Sequence, residues 1–238
     1  MTVVLLHPIA LDGACWRFLG ADMPPGSVHP DLLGHGDRPD PGDGLTLDTF
    51  ARDVLDTVSG ELDLVGLSLG GAVALRMALL RPDRVRSALL ACSGTGGVAV
   101  REVLRARADD VERSGVAATV EESLRRWFTP EALGASGHPG PSYARERLLA
   151  GRAGAVAASW RALAELDAWD DLPSVAVPTT VLHATQDPTG SPKGRRAMAE
   201  RIPGARFATV EGPHMAPLER PAEFAAAVRE HLDWAGRW

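Results

Sequence analysis

The reading turns on Leu62-Asp63-Leu64-Val65-Gly66-Leu67-Ser68-Leu69-Gly70-Gly71-Ala72-Val73-Ala74-Leu75-Arg76-Met77-Ala78-Leu79-Leu80. Leu62 to Leu67 is a short apolar run, the pattern of a strand buried on both faces of a parallel sheet. Gly70 to Leu80 is an apolar helical segment, stopped by Arg81-Pro82. Between them, Gly66-Leu67-Ser68-Leu69-Gly70 is suited to a very tight strand-to-helix turn, because glycines at both ends let the backbone pass close to itself. Such a turn holds the Ser68 hydroxyl out of the loop. It also aims the first amides of the next helix at the same point, and the Leu69 N–H becomes one donor to a developing oxyanion. Taken alone, the pattern also fits a Gly-rich turn with an incidental serine. The strand before it and the helix after it favour the nucleophile.

Working outward, Thr2 to Leu6 reads as a buried strand and His7 to Gly13 as the loop that follows it. Ser27 to Leu32 reads as a weak strand. Leu33 to Gly44 is loop, and Thr46 to Val58 has helical periodicity with Asp48 near its start. Val85 to Ala91 is a strand. Later come a strand at Pro178 to Ala184, a helix at Pro192 to Arg201, a strand at Arg206 to Val210 and a closing helix at Pro221 to Trp234. Alternation at these spacings is the signature of a doubly wound α/β fold with a mostly parallel sheet. Val98 to Leu166 breaks it, being Ala-, Arg- and Glu-rich with helical spacing. The chain is therefore divided into a first core part, 1–97, a helical insertion, 98–166, and a second core part, 167–238.

The 238 residues are 45% hydrophobic and 24% charged, ordinary values for a globular domain. The net charge of -6 and the absence of Lys/Arg-rich runs give no electrostatic case for nucleic acid or an anionic membrane. No apolar stretch approaches the ~18 residues of a membrane span. The first residues lack the basic start of a signal peptide, so the expected location is cytoplasmic. Cys15 and Cys92 form no metal or disulfide framework. Gly94-Thr95-Gly96-Gly97 lacks the spacing of a phosphate loop, and no H-E-x-x-H pattern occurs. No cofactor or metal is expected, and the expected partner is a small-molecule substrate.

A serine nucleophile needs a base, and the base an orienting carboxylate. In an α/β sheet the expected chain order is serine, acid, histidine, each on a loop at the carboxyl end of a strand. His214 in Glu211-Gly212-Pro213-His214-Met215 follows the last strand and fits the base. Asp187 follows the preceding strand and fits the acid. His183 falls within a strand and reads as packed, His231 in the last helix as a surface residue, and His138 in a Gly/Pro-rich segment has no positional argument. The second oxyanion amide belongs in the loop after the first strand. Pro8 has no N–H, so Ile9 is assigned, with Ala10 in reserve. Trp16 and Met215 flank these loops and are assigned to the substrate pocket. Trp127 and Trp160 of the insertion are assigned there as well, although packing the insertion onto the core is the default for any such aromatic residue. Arg125, Arg126 and Arg161 carry the right charge for a substrate carboxylate but are assigned to the solvated surface.

Together these residues resemble the α/β-hydrolase fold family, its small esterase and lactonase branch. Leu5-Leu6-His7-Pro8 resembles the strand and His-Gly of its oxyanion loop, with Pro8 where glycine is usual. Asp31-Leu32-Leu33-Gly34-His35-Gly36-Asp37 resembles its Asp-x-x-Gly-His-Gly loop. Ala184-Thr185-Gln186-Asp187 resembles its acid loop, with Ala184 in place of glycine. Gly212 to Pro221 is similar to its Gly-His-x-x-x-x-Glu-x-Pro ending. The resemblance implies that the family's first two strands are absent, leaving about six, and that the insertion forms a helical cap. It implies hydrolysis of a small or medium carboxylic ester or lactone through an acyl-enzyme on Ser68. Two alternatives stay open: a C–C bond hydrolase or biosynthetic lyase or cyclase on the same scaffold, and a ligand-binding receptor without catalysis.

Overall fold

A computed structural model describes residues 2–42 and 44–236; Asp43 of the expected Leu33–Gly44 loop, and residues 1, 237 and 238 of the domain division, lie outside them. Five parallel strands, β1 (Thr2–Leu6), β2 (Leu62–Leu67), β3 (Val85–Ala91), β4 (Thr179–Ala184) and β5 (Arg206–Val210), lie side by side in chain order. β2 and β4 are buried along their whole length, including the polar Asp63 of β2 and Thr179, Thr180 and His183 of β4. The sheet has five strands rather than about six. The segment at Ser27–Leu32 makes only a single bridge, Val28 to Val4, because Pro24-Pro25 before it and Pro30 after it remove the N–H groups a longer ladder needs.

The helices are α1 (Leu47–Thr57), α2 (Leu69–Leu80), α3 (Val98–Ser114), α4 (Val116–Trp127), α5 (Pro130–Gly134), α6 (Pro139–Ala150), α7 (Ala153–Ala164), α8 (Pro192–Arg201), α9 (Ala216–Glu219) and α10 (Pro221–Ala235). Thr46 caps α1 by accepting from the Thr49 N–H at 3.0 Å, and Ser191 caps α8 from Gly194 at the same distance. α2 packs against β1, β2 and β3 with α1 alongside it, and α8 packs against β4 and β5. α10 packs against β3 and β5, together with the 3-10 turns at Gly13–Asp22, where the ring of Trp16 meets Phe224 at 5.9 Å.

α3 to α7 form one excursion between β3 and β4. Its two ends meet at a Gly96–Asp167 bridge, with Gly97 N–H on Leu166 O and Ala168 N–H on Thr95 O. A Cβ on Gly96 would lie 1.7 Å from Leu166 O, so Gly96 serves close backbone approach. Side chains tie the excursion to the core. Tyr143 donates to Asp12 Oδ1 at 2.5 Å, Arg147 reaches Asp12 Oδ2 at 3.2 Å, and Thr129 donates through N and Oγ1 to Glu219 at 3.0 and 2.7 Å.

His231 is buried rather than on the surface. Its Nδ1 lies 2.9 Å from Thr180 Oγ1 and its Nε2 3.2 Å from Ser87 Oγ, which in turn donates to the buried Asp63. His231 continues the face of α10 that buries Phe224, Val228 and Ala235, and that face docks on the sheet. His138 N-caps α6 by accepting from Gly140 N–H.

Buried histidines make stability depend on pH. Burial pushes His7 and His231 down to about 4 and His35 to about 3. In the unfolded chain they titrate near the ordinary ~6.5. Between these values the unfolded state binds more protons, so the free energy of unfolding falls as pH falls. Tm is expected to be flat between about pH 7 and 8 and to drop progressively from about pH 6.5 to 4; a flat Tm down to about pH 4.5 in thermal melts contradicts it.

Candidate active site

β1, β2 and β3 all end in a residue or loop with a left-handed backbone: Ala10 (φ 61°), Ser68 (φ 56°) and Cys92 (φ 50°) are the non-glycine residues with positive φ among those described. Such strain is held only where the surroundings over-determine it. At Ser68 the surroundings are explicit. Its N–H donates to Ala91 O at 2.9 Å, and its carbonyl accepts from Ala72 N–H. A Cβ on Gly66 would lie 2.2 Å from Gly70 O, and one on Gly70 would lie 2.0 Å from Leu6 O. Gly70→Ala is therefore expected to cost about 3 kcal/mol, a Tm fall on the order of 6–12 °C in a calorimetric melt; an unchanged Tm contradicts the crowding.

Ser68 and His214 line one cavity of about 630 Å³ at the carboxyl ends of the strands. The Ser68 Oγ makes no hydrogen bond among the described residues, so it faces the cavity uncommitted. The tightening of a serine–histidine contact on substrate binding is common in such sites. His214 is buried, and its Nδ1 lies 3.0 Å from Asp187 Oδ1 and 3.2 Å from Thr189 Oγ1, which leaves Nε2 as the nitrogen able to take a proton. β4 and β5 are adjacent and parallel, and this brings the loop after each into contact. The His214 loop is also held by Met215 N–H on Trp127 O at 3.0 Å.

Asp187 is buried with two partners that the sequence did not announce. Arg195, itself buried, reaches Asp187 Oδ2 at 2.6 Å and hydrogen-bonds His183 Nδ1 through its other terminal nitrogen. Thr189 N–H donates to Asp187 Oδ1 at 2.9 Å. Burial pushes the Asp187 carboxyl up, but His214 beside it, then Arg195 and the Thr189 amide, outweigh burial and hold it well below the usual carboxylate range. Arg195 sits one turn into α8, on the face it shares with the buried Met198 and Ala199. His183 is packed, as its place in β4 requires.

The oxyanion side has its own support. His7 is buried, accepts from Leu32 N–H through Nε2 at 2.9 Å, and is 2.8 Å from Pro8 O through Nδ1. The first contact makes Nε2 the acceptor, so Nδ1 carries the proton and donates to Pro8 O. In a trans peptide the C=O and the next N–H point opposite ways. Holding Pro8 O therefore aims the Ile9 N–H the other way, and Ile9 borders the cavity. Neither the Ile9 nor the Leu69 amide has a backbone partner outside regular structure, and Leu69 opens α2, where N–H groups lack intrahelical acceptors.

The cavity wall takes Trp127 and Trp160 from the insertion. Trp16 and Met215 do not border it. Both are fully buried, Trp16 because the 3-10 turns press it against α10, and Met215 because its loop folds under α4. Arg126 does border the cavity, as does Arg107 of α3, which the sequence reading passed over. Arg161 lies outside it, paired with Glu112 and Asp109.

The Cys92 thiol, the Asp187 carboxylate and His214 lie within 4.8 Å of one another. They do not suit a cation. Burial, then Asp187, pushes the thiol up to about 12, and both carboxylate oxygens already serve His214 and Arg195.

A family profile described as "Alpha/beta hydrolase family" matches residues 3–227. The chain is similar to 3-oxoadipate enol-lactonase 2 of Acinetobacter baylyi, at 25% identity across 83% of this chain and 75% of that protein. It is similar to the pimeloyl-(acyl-carrier protein) methyl ester esterase of Aromatoleum aromaticum, at 29% identity across 96% of each. Among solved structures, a thermophilic esterase from Thermogutta terrifontis matches with a TM-score of 0.88 at 28% identity, covering 99% of this chain and 90% of that one. With the parallel sheet, the strained turn at Ser68 and a profile match over nearly its full length, the chain belongs to the alpha/beta hydrolase family.

Proposed function

We propose that the protein hydrolyses a small or medium carboxylic ester or lactone through an acyl-enzyme on Ser68. The observation that carries this reading is the Asp187–His214 pair, 3.0 Å apart, sharing a cavity with a serine held at φ 56°. In the first half-reaction Ser68 Oγ attacks the carbonyl carbon while His214 Nε2 takes its proton. The C–O bond to the leaving alcohol then breaks, and His214 returns the proton to that oxygen. In the second, His214 activates a water, which attacks the acyl carbon and restores Ser68. The Leu69 and Ile9 amides carry the oxyanion in both. The names of the esterase and lactonase relatives support the ester or lactone class. Residues 98–166 act as a cap: they supply Trp127 and Trp160 to the cavity and are pinned to the His214 loop through Glu219. Among the described residues no helix is long and apolar enough to cross a membrane. Free, buried Cys15 and Cys92 fit the cytoplasmic location this reading assigns.

The test is labelling with a fluorophosphonate followed by peptide mass mapping, together with turnover of p-nitrophenyl esters and lactones of graded acyl length. An adduct on Ser68 and turnover of some ester or lactone are expected. An unlabelled Ser68 with no turnover turns the reading toward a ligand receptor.

His7 offers a second check, on the oxyanion side. His7→Phe keeps an aromatic ring but frees the Pro8 carbonyl and the Leu32 N–H. It is expected to lower kcat by about 10- to 100-fold, short of the ~10²–10³ lost with a whole oxyanion donor, with KM within about threefold. Steady-state kinetics showing wild-type kcat would remove His7 from this role.

A further inference from the structure

We propose that the cavity carries an anion subsite formed by Arg107 and Arg126, and that the substrate is an ester or lactone bearing a second, ionised carboxyl group. This rests on the reading of Ser68 as the nucleophile and names the substrate class of that site.

The charge of the cavity wall is the first observation. The chain has a net charge of -6, yet the cavity is bordered by Arg107, Arg126 and Arg195 and by no Asp or Glu among the described residues. Arg195 is neutralised by Asp187 at 2.6 Å. Arg107 and Arg126 are not matched in this way. They come from different helices, α3 and α4, and share one carboxylate, Glu122, at 3.8 and 3.0 Å. Glu122 is 68% exposed, whereas the two arginine side chains are 26% and 20% exposed. The anion of this cluster is therefore largely in water and its cations are largely out of it. Burial pulls the Arg107 guanidinium down from its ordinary value, with Glu122 and Asp110 opposing. A cation that has lost water and is short of counter-charge is stabilised by an incoming anion.

Geometry favours a carboxylate. The Arg107 guanidinium lies over the Trp160 ring, 5.6 Å from its centroid. A cation–π contact of that kind leaves guanidinium N–H groups able to donate to a carboxylate. Leu104, Leu163 and Trp127 also border the cavity, giving an apolar surface for the carbon chain of the same ligand. An uncharged ester fills such a surface but leaves the two arginines with Glu122 as their shared counter-charge.

The test compares mono-p-nitrophenyl glutarate with p-nitrophenyl pentanoate, which share leaving group and acyl length and differ by one terminal carboxylate. In the wild-type protein kcat/KM is expected to favour the anionic ester at least about tenfold, the range of charge-assisted hydrogen bonds. Arg107→Gln and Arg126→Gln are each expected to cut that ratio about tenfold, and Arg161→Gln, on an outer ion pair, to leave it unchanged. A wild-type ratio of one or less, or a ratio untouched by both cavity variants, overturns the subsite. If neither ester is hydrolysed, fluorophosphonate labelling decides the Ser68 reading and calorimetric titration with glutarate decides the subsite. Binding weakened about tenfold or more by either cavity variant upholds it. Absent binding, or equal affinity in all three proteins, overturns it.

Discussion

Ser68→Ala is expected to lower kcat toward the best ester or lactone substrate by about 10⁴- to 10⁶-fold while leaving Tm within a few degrees. The size of the loss follows from the division of labour in the site. Without the hydroxyl no acyl-enzyme forms, and His214 has no proton to take from the protein. What survives is binding in the cavity and the two amides at the oxyanion, which still favour attack by water. The small change in Tm follows from the backbone. Alanine meets the same penalty as serine at φ 56°, and the Ser68 Oγ makes no hydrogen bond whose loss must be counted. Ser68→Gly separates the two properties further. It is equally inactive, but glycine adopts this conformation freely, so stability is expected to rise by about 1–3 kcal/mol. Steady-state rates and melting curves on both variants check the pair. Retained ester turnover in either would sink the acyl-enzyme mechanism. A destabilised Ser68→Gly would show that the turn holds no strain.

Asp187→Asn is the second large effect, and it acts on activity and stability together. An amide presents a donor or a weaker acceptor to His214 Nδ1, so the ring loses its orienting partner and the imidazolium its counter-charge. A loss in kcat on the order of 10⁴-fold is expected. The same change leaves Arg195 buried without its carboxylate. Breaking a buried pair by removing one partner costs about 3–5 kcal/mol, a Tm fall of about 6–20 °C. Adding Arg195→Met to Asp187→Asn removes the orphaned cation. The double variant is expected to regain much of the lost Tm and none of the lost kcat. Recovery of activity would mean that the single variant had only been unfolding. Acid should reveal the same pair in the wild-type protein. The Asp187 carboxyl is held low in the folded state, so its contribution to stability is full above the ordinary carboxylate range and is lost as pH falls below it.

Much of this site is legible along the chain, for a physical reason. β2, the turn at Ser68 and α2 are contiguous, and the crowding that demands Gly66 and Gly70 is local, so residue types at fixed spacing report it. Asp187 and His214 are readable for a related reason. In a sheet of parallel strands every carboxyl end lies at the same edge, so position after a strand predicts proximity without any knowledge of distance. Strand boundaries at Thr2–Leu6, Leu62–Leu67 and Arg206–Val210 follow because short segments with β-branched or aromatic residues between turn residues are too brief for a helix.

Other features depend on contacts between residues far apart in sequence. Trp16 sits beside the oxyanion loop in sequence, yet it points into the core because α10, more than two hundred residues later, covers it. Arg195 and Arg126 look alike as helical arginines. Both border the cavity, but one is buried on the acid of the site and the other pairs with the exposed Glu122, and packing of α8 on β4 and of the insertion over the strand ends makes that difference. Local spacing thus specifies which residues can do chemistry, because strand, turn and helix are short-range objects. Which of them lose water, which charges find partners and which face meets the substrate are properties of the assembled interior, since burial is a relation between distant parts of the chain.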